Sequence, residues 1–146
     1  DNVIQLIATG SGMYEYSLDN GLWQESGVFE NVSAGEHIVT ARDLNGCGLA
    51  SEIIIVIDYP LFFTPNGDGF HDTWNIIGIE NQPTAKIYVF DRYGKLLKQL
   101  SPNSLGWDGT FNGSPLPNSD YWFTVEFIEP KDGSLKVFKA HFTLKR

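Results

Sequence analysis

The chain has 146 residues, of which 42% are hydrophobic, and its formal net charge is -8. This length and this hydrophobic content are enough for one medium domain or two small ones with packed cores. The negative charge and the lack of a basic cluster before Lys145 and Arg146 argue against a nucleic-acid-binding surface, and no apolar run approaches the roughly 20 residues of a membrane helix.

Short β-strand signals follow one another through the first half of the chain. Apolar and polar residues alternate, and Gly, Asn, Asp or Pro interrupt them about every 8 to 12 residues, a pattern typical of an all-β sandwich. We predict strands over residues 14–19 and 36–42, with a hairpin turn after the first in which Gly21 adopts positive φ. Residues 53–57 are apolar on both faces, which predicts a strand in the interior of a sheet.

The single cysteine, Cys47, cannot by itself form a disulfide framework or a thiolate metal site. We predict a small buried apolar residue, with a bridge to a cysteine upstream of this sequence as the alternative. The sequence starts at Asp1, without a methionine or a signal sequence, so we expect it to be a piece of a longer protein.

A domain boundary is predicted where Asp-Tyr-Pro at 58–60 interrupts the strand pattern. It separates a small β-rich module, residues 1–58, from a second domain, residues 59–146. In the second domain we predict strands over 86–91 and 96–100. A further strand carries four apolar side chains on one face, and a hairpin turn follows it at 130–133. The four side chains are those of Tyr121, Phe123, Val125 and Phe127.

The last ten residues, VFKAHFTLKR, form a strand pattern that continues to the final residue. One face carries Phe138, Ala140, Phe142 and Leu144. Because termini usually fray, a strand of this kind is either tied into its sheet or contacts a partner. Both interpretations remain open from the pattern alone.

The stretch TPNGDGFHD, early in the second half, combines glycines with side-chain oxygens. Asn66, Asp68 and Asp72, with the carbonyl of Phe70, have the residue types and approximate spacing of a calcium loop, although the bidentate glutamate of an EF-hand is missing. The same residues form Asx turns without a metal. We favour the structural loop and keep calcium as the alternative. Phosphate binding is less favoured still, because the Lys and Ser/Thr of a Walker loop are lacking and two aspartates would repel the anion.

Catalysis is not predicted, because the three histidines are scattered and no nucleophile elbow or HExxH pairing occurs. The four tryptophans are better explained by core packing than by a sugar-stacking platform. They are Trp23, Trp74, Trp107 and Trp122.

Four blocks of the second half carry a family resemblance. They are FFTPNGDGFHDTW at 62–74, IYVFDRYGKLL at 87–97, GWDGTFNGSPLPNSDYWF at 106–123 and HFTLKR at 141–146. In this order they resemble the type B C-terminal sorting domain of the type IX secretion system of Bacteroidota, also called the gliding-motility-associated C-terminal domain. The resemblance implies an immunoglobulin-like antiparallel β-sandwich that is non-catalytic and directs export through the periplasm and outer membrane to the cell surface.

The same resemblance implies partners, and the alternation of the last strand leads us to a hypothesis for the contact site. The partners are a PorV-like shuttle, a PorP/SprF-like membrane protein and the outer-membrane translocon. We expect Phe138, Phe142 and Leu144 to be apolar anchors for this machinery, and the cations Lys145 and Arg146 to face an acidic receptor rim. No cofactor is required, with calcium as the possible exception.

The first half resembles, more loosely, the repeat unit of large gliding adhesins. The matching stretches are YEYSLDNG at 14–21 and VFENVSAGEHIVTARDLNGC at 28–47. This resemblance implies that the exported cargo is an adhesin. The alternative function is a calcium-stabilised adhesive or glycan-binding β-sandwich module.

Overall fold

A computed structural model describes residues 2–7, 12–46 and 48–146 of the chain; Cys47 lies outside the described residues. The described residues form strands, turns and loops without a helix, which confirms the predicted all-β class. The chain divides into two compact units. Unit 1 comprises Asp1–Val56 and Glu129–Gly133, and unit 2 comprises Ile57–Ile128 and Ser134–Arg146.

Unit 1 contains two small antiparallel sheets. Its strands are β1 (Ile4–Gln5), β2 (Tyr14–Leu18), β3 (Val28–Phe29), β4 (Gly35–Asp43) and β5 (Leu49–Val56). β1 pairs with β3, and the larger sheet has the order β2-β4-β5. Its aliphatic core is small, with Ile4, Val32 and Val39 buried at the centre and partly buried neighbours such as Phe29 and Ile54 around them.

Two details of unit 1 differ from the sequence-based expectation. The hairpin turn has positive φ at Asp19 (53°) and Asn20 (59°), not at Gly21, because Asp and Asn tolerate the left-handed region that a two-residue primed turn needs. The run around Ile53 lies in an edge strand, since β5 pairs only with β4 in the described sheet. An apolar, β-branched run indicates a strand but does not fix its position in the sheet.

A hydrogen-bonded ion pair links the turn after β2 to β4. The Nδ1 of buried His37 lies 2.6 Å from the Oδ2 of Asp19, and its Nε2 lies 2.7 Å from the carbonyl of Ser33. Burial lowers the pKa of His37, but the hydrogen bonds to Asp19 and Ser33 outweigh burial and raise it overall. Burial raises the pKa of Asp19, and the bonds from His37 and the Ile38 amide outweigh this and lower it. Both shifts favour the charged pair.

Unit 2 is built on a five-stranded sheet. Its strands are β6 (Phe62–Phe63), β7 (Lys86–Phe90), β8 (Leu96–Leu100), β9 (Thr110–Phe111), β10 (Ser114–Pro115), β11 (Ser119–Ile128) and β12 (Leu135–Leu144). The sheet order is β6-β12-β11-β7-β8, antiparallel except for the parallel pair β6 and β12. β9 and β10 form a separate hairpin. The predicted strands at 86–91 and 96–100 and the hairpin turn at 130–133 are confirmed.

The inner face of this sheet packs against an aromatic core. Phe123 and Phe142 on neighbouring strands are fully buried, and the ring of Phe142 stacks on Trp74 with centroids 4.0 Å apart and planes 8° apart. Trp74 and Trp107 form a β-bridge opposite the sheet, so the second layer is made of short extended segments. Aromatic pairs of this kind contribute about 0.5–1.5 kcal/mol each beyond their buried area, so the rings add to the stability that buried aliphatic residues such as Ile79 and Val125 give to unit 2.

Among the described residues, none belongs to a helix of the length and apolar character that crossing a membrane would need.

Candidate functional site

Two of the predicted partner anchors lie in the core. Phe142 is 1% exposed and Leu144 is 0% exposed, and Phe142 also contacts Phe63 with ring centroids 5.9 Å apart. The sequence predicts that these side chains are anchors for a receptor, but the structure buries both of them in the core of unit 2. While unit 2 is folded, neither side chain is accessible to a partner.

Two other predicted contact residues remain at the surface. Phe138 is 39% exposed. Its ring contacts those of Tyr59 and Phe123, with centroid distances of 6.1 and 5.8 Å, respectively. Lys145 is exposed, its ammonium lies 5.3 Å from the centroid of the Phe62 ring, and its amide donates to the Phe63 carbonyl. These two side chains can contact another molecule without unfolding the domain.

Arg146 joins the end of β12 to three loop segments. Its guanidinium donates from Nε to the carbonyl of Leu116 (3.1 Å), from Nη1 to that of Pro65 (3.2 Å) and from Nη2 to that of Gly109 (3.1 Å). Its amide donates to the Oδ1 of Asn118. A planar guanidinium with five donors suits such a set of diverging carbonyls, whereas a lysine ammonium does not. Arg146 therefore stabilises the packing of these loops against the end of β12 within unit 2.

Gly109 permits this close approach. Its φ is +82°, and a Cβ at this position would lie 2.8 Å from the Cδ1 of Leu144 and 3.3 Å from the Nη2 of Arg146. A larger residue would therefore be strained in its backbone and would push the end of β12 away. Gly109 is not among the site residues predicted from the sequence; the turn cluster GWDGTFNG is the sequence signal that it occupies a special backbone position.

The turn between β7 and β8 lies against the β9 strand. The Oδ1 of Asp91 accepts hydrogen bonds from the amides of Tyr93 and Lys95, both at 2.9 Å, and the ammonium of Lys95 lies 4.4 Å from the ring centroid of Phe111. Tyr93 is exposed, and its hydroxyl accepts a 2.7 Å bond from Arg92. The second family block is thus held against the third, and it presents an Arg–Tyr pair to solvent.

The TPNGDGFHD loop is closed by its own polar groups. The Oδ1 of Asp72 accepts from the amides of Asn66 (3.2 Å) and Gly67 (3.0 Å), and its Oδ2 accepts from the amide of Gly69 (2.8 Å). The Oδ1 of Asp68 accepts from the Phe70 amide at 2.8 Å. These are the bonds of nested Asx turns.

The proposed calcium ligands are directed at amides rather than at a common point. The Oδ1 of Asn66 accepts from the Asp68 amide at 3.1 Å, and both oxygens of Asp72 are engaged as described. Over residues 2–7, 12–46 and 48–146, no group of three or more His, Cys, Asp or Glu side chains is arranged to hold a metal ion. In this conformation the donor set does not fit the converging oxygens that calcium needs.

The four tryptophans are not brought together as a platform. Trp74 and Trp107 are buried in the core of unit 2, and Trp122 lies on the outer face of its sheet, 6.0 Å from the ring of His141. Trp23 belongs to unit 1, where the guanidinium of Arg42 lies 4.0 Å from its ring centroid. A sugar-stacking surface made of these rings is therefore not formed.

Comparison with known proteins identifies the second unit. Residues 57–143 match the family model described as CHU_C type IX secretion signal domain, a span of more than half of the chain. The chain belongs to this family of type IX secretion signal domains. The predicted resemblance to a C-terminal sorting domain is confirmed, and the family implies export through this system toward the cell surface, in contact with its machinery. No curated protein matches the chain, and no solved structure matches it.

Proposed function

We propose that unit 2 is a non-catalytic sorting signal that the secretion machinery recognises by its folded surface. The recognised surface surrounds the end of β12. The observation that carries the proposal is the set of Arg146 hydrogen bonds to Pro65, Gly109 and Leu116. These bonds connect the fourth family block to the first and the third. The Asp91 turn, held against Phe111 by Lys95, adds the second block.

In this proposal, buried and exposed residues of the last strand have different roles. Phe142 and Leu144 anchor the strand in the core. This position of the strand allows Arg146 to bond the surrounding loops. Phe138 and Lys145 are exposed and make contacts with the partner, Phe138 through its ring and Lys145 through its charge. The terminal strand is thereby a contact element whose shape depends on the whole domain.

The partners we propose are a PorV-like shuttle, a PorP/SprF-like outer-membrane protein and the translocon itself. The cargo we propose is a surface adhesin of the gliding type, resembling the adhesin SprB, because the first half resembles repeats of such proteins. Delivery then runs through the periplasm and the outer membrane to the cell surface.

Surface delivery of a reporter tests the proposal. The complete 146-residue chain is fused to the C-terminus of a secreted fluorescent reporter in a strain with a type IX system, and protease-accessible reporter is measured on intact cells. We expect the fusion to reach the cell surface and the reporter alone to remain in the periplasm. A fusion that stays in the periplasm would overturn the sorting function.

The contact role of the last strand is tested separately by charge reversal. Lys145→Glu leaves the backbone bond to Phe63 intact, and we expect it to lower surface delivery about fivefold by opposing an acidic partner rim. Lys131→Glu, an equal charge change in the β11–β12 turn, serves as the control and should have little effect. Equal delivery by both variants would remove Lys145 from the contact site.

A further inference from the structure

Strand β12 leaves one of its two edges open over most of its length. Its inner edge pairs with β11 along the whole strand, whereas β6 pairs with the other edge only at Thr143 and Leu144. The amides of Thr143 and Lys145 donate to the β6 segment. Because backbone groups alternate between the two edges of a strand, four residues before Thr143 direct their N–H and C=O groups the same way. They are residues 135, 137, 139 and 141.

The neighbouring chain turns away before it covers this edge. The β6 segment is preceded by Pro60, which has no N–H to donate to a ladder. The Pro60 carbonyl accepts a 2.8 Å bond from the indole of Trp74, so it is engaged with the core instead of β12. In the described part of the chain, no strand pairs with β12 between Leu135 and His141 on this side.

The open edge is apolar and positively charged. Leu135 and Val137 are more than half exposed, and Phe138 adds part of its ring. Lys136 and Lys139 are exposed, and among the described residues neither ammonium forms a salt bridge with a carboxylate. Residues 134–146 contain four basic residues and no acidic one, although the whole chain carries -8.

We infer that this edge accepts an extended, acidic segment of the secretion machinery as a sixth strand of the sheet, an inference that rests on the proposed sorting function. The four residues offer four N–H and four C=O groups for main-chain pairing, while Val137 and Phe138 supply apolar contacts. Acidic side chains of the incoming strand lie on the same face as Lys139, where cross-strand pairs of opposite charge are favourable, and its apolar side chains lie on the face of Phe138.

Two competing arrangements are less favourable. A second copy of this chain would bring the lysines of two β12 strands together, and like charges opposite each other destabilise a strand pair. The other edge of the same sheet is β8, which has five residues and meets β7 with a register shift between Val89 and Phe90. A short, irregular edge is a poorer template than the continuous β12 edge.

A proline placed on the open edge tests the inference. Val137 directs its N–H outward, so Val137→Pro removes a donor for the incoming strand while sparing the ladder to β11. The matched control is Val137→Ala, which keeps the N–H. The probe is a fluorescein-labelled nine-residue peptide in which glutamate alternates with valine, with a lysine-for-glutamate peptide as its partner control. Binding to the complete chain is measured by anisotropy at low salt.

We expect the acidic peptide to bind and the basic one not to bind. Val137→Pro should weaken binding at least about tenfold, Lys139→Glu about fivefold, and Val137→Ala and Lys131→Glu less than about twofold. On binding, amide exchange of Val137 and Lys139 should slow, whereas that of Phe138, already bonded to β11, should not change. Equal binding of both peptides, or a wild-type dimer in sedimentation that Val137→Pro dissolves, would overturn the inference.

Surface delivery separates this inference from the sorting function. If the wild-type fusion reaches the surface and Val137→Pro reduces delivery relative to Val137→Ala, the edge is used by the machinery. If both variants are delivered like wild type, the edge inference fails and the sorting function stands. If the wild-type fusion is itself retained, the sorting function fails whatever the peptide does.

Discussion

The two units of this chain differ in charge and in the chemistry of their cores. Unit 1 contains ten acidic and two basic residues, whereas unit 2 contains eight of each, so unit 1 accounts for the whole net charge of -8. The buried core of unit 1 is a few aliphatic residues, and that of unit 2 combines a network of stacked and tilted rings with buried aliphatic side chains such as Ile79 and Val125. Burial of large rings stabilises far more than burial of a few aliphatic groups, so we expect unit 2 to be the more stable unit.

The largest effect should come from the stacked ring at the end of the last strand. Phe142→Ala removes a fully buried ring that contacts Trp74 and Phe63, and we expect unit 2 to lose about 3–5 kcal/mol of unfolding free energy. Hydrogen exchange by mass spectrometry should show the loss in unit 2 segments and leave unit 1 unchanged. Phe70→Ala, at an exposed ring, is the control and should change stability by less than about 0.5 kcal/mol. Equal losses in both units would mean that the two cores are not independent.

A smaller effect is expected at Gly109. Gly109→Ala puts a Cβ within 2.8 Å of Leu144 at a positive φ, and we expect a loss of roughly 2 kcal/mol in unit 2. The matched control is Gly113→Ala, which also has positive φ (82°) but meets nothing within 4 Å. Chemical denaturation should therefore show a greater loss for Gly109→Ala than for Gly113→Ala; similar losses would mean that backbone strain alone, and not contact with β12, makes Gly109 necessary.

The strands of unit 2 could be predicted from the sequence, but the environment of the last residues of β12 could not. Alternation of Tyr121, Phe123 and Val125 indicates a strand and its inner face, because side chains alternate with a period of two. Alternation does not say whether Phe142 meets its own core or a partner. That outcome depends on β6 and Trp74, which are far away in sequence.

The contacts of Arg146 also could not be predicted from a sequence pattern. Its acceptors are backbone carbonyls, which every residue has, and the one to Pro65 lies 81 positions away along the chain. The Asx turns of the 66–72 loop were predictable, since Asn and Asp bond their own backbone within a few residues. Hydrogen bonds between residues close together in sequence were therefore predictable, and those between distant residues were not.

A pH dependence should distinguish unit 1. The folded pKa of His37 is raised above its unfolded value of about 6.5, so its contribution to stability is complete below that pH and is lost as pH rises through the folded pKa. The folded pKa of Asp19 is lowered, so its contribution is lost at acidic pH, below about 4. We expect unit 1 to be most stable between these limits, by about 1 kcal/mol or less because Asp19 is half exposed. His37→Gln should flatten the profile measured by hydrogen exchange at several pH values; an unchanged profile would exclude this pair as its cause.

Calcium should have the smallest effect. Because the oxygens of Asp68 and Asp72 bond amides of their own loop, we expect the melting temperature of unit 2 to be the same in calcium and in chelator. A rise in calcium that Asp68→Asn and Asp72→Asn abolish would instead establish the metal site.

We propose that sorting resides in the folded unit 2 and does not require a folded unit 1. The most direct test places an aspartate in each core of the complete 146-residue fusion, at Val39 in unit 1 and at Val125 in unit 2, both buried. Surface delivery should persist in Val39→Asp and be lost in Val125→Asp. Delivery that fails in Val39→Asp, or persists in Val125→Asp although hydrogen exchange shows unit 2 unfolded, would contradict the claim.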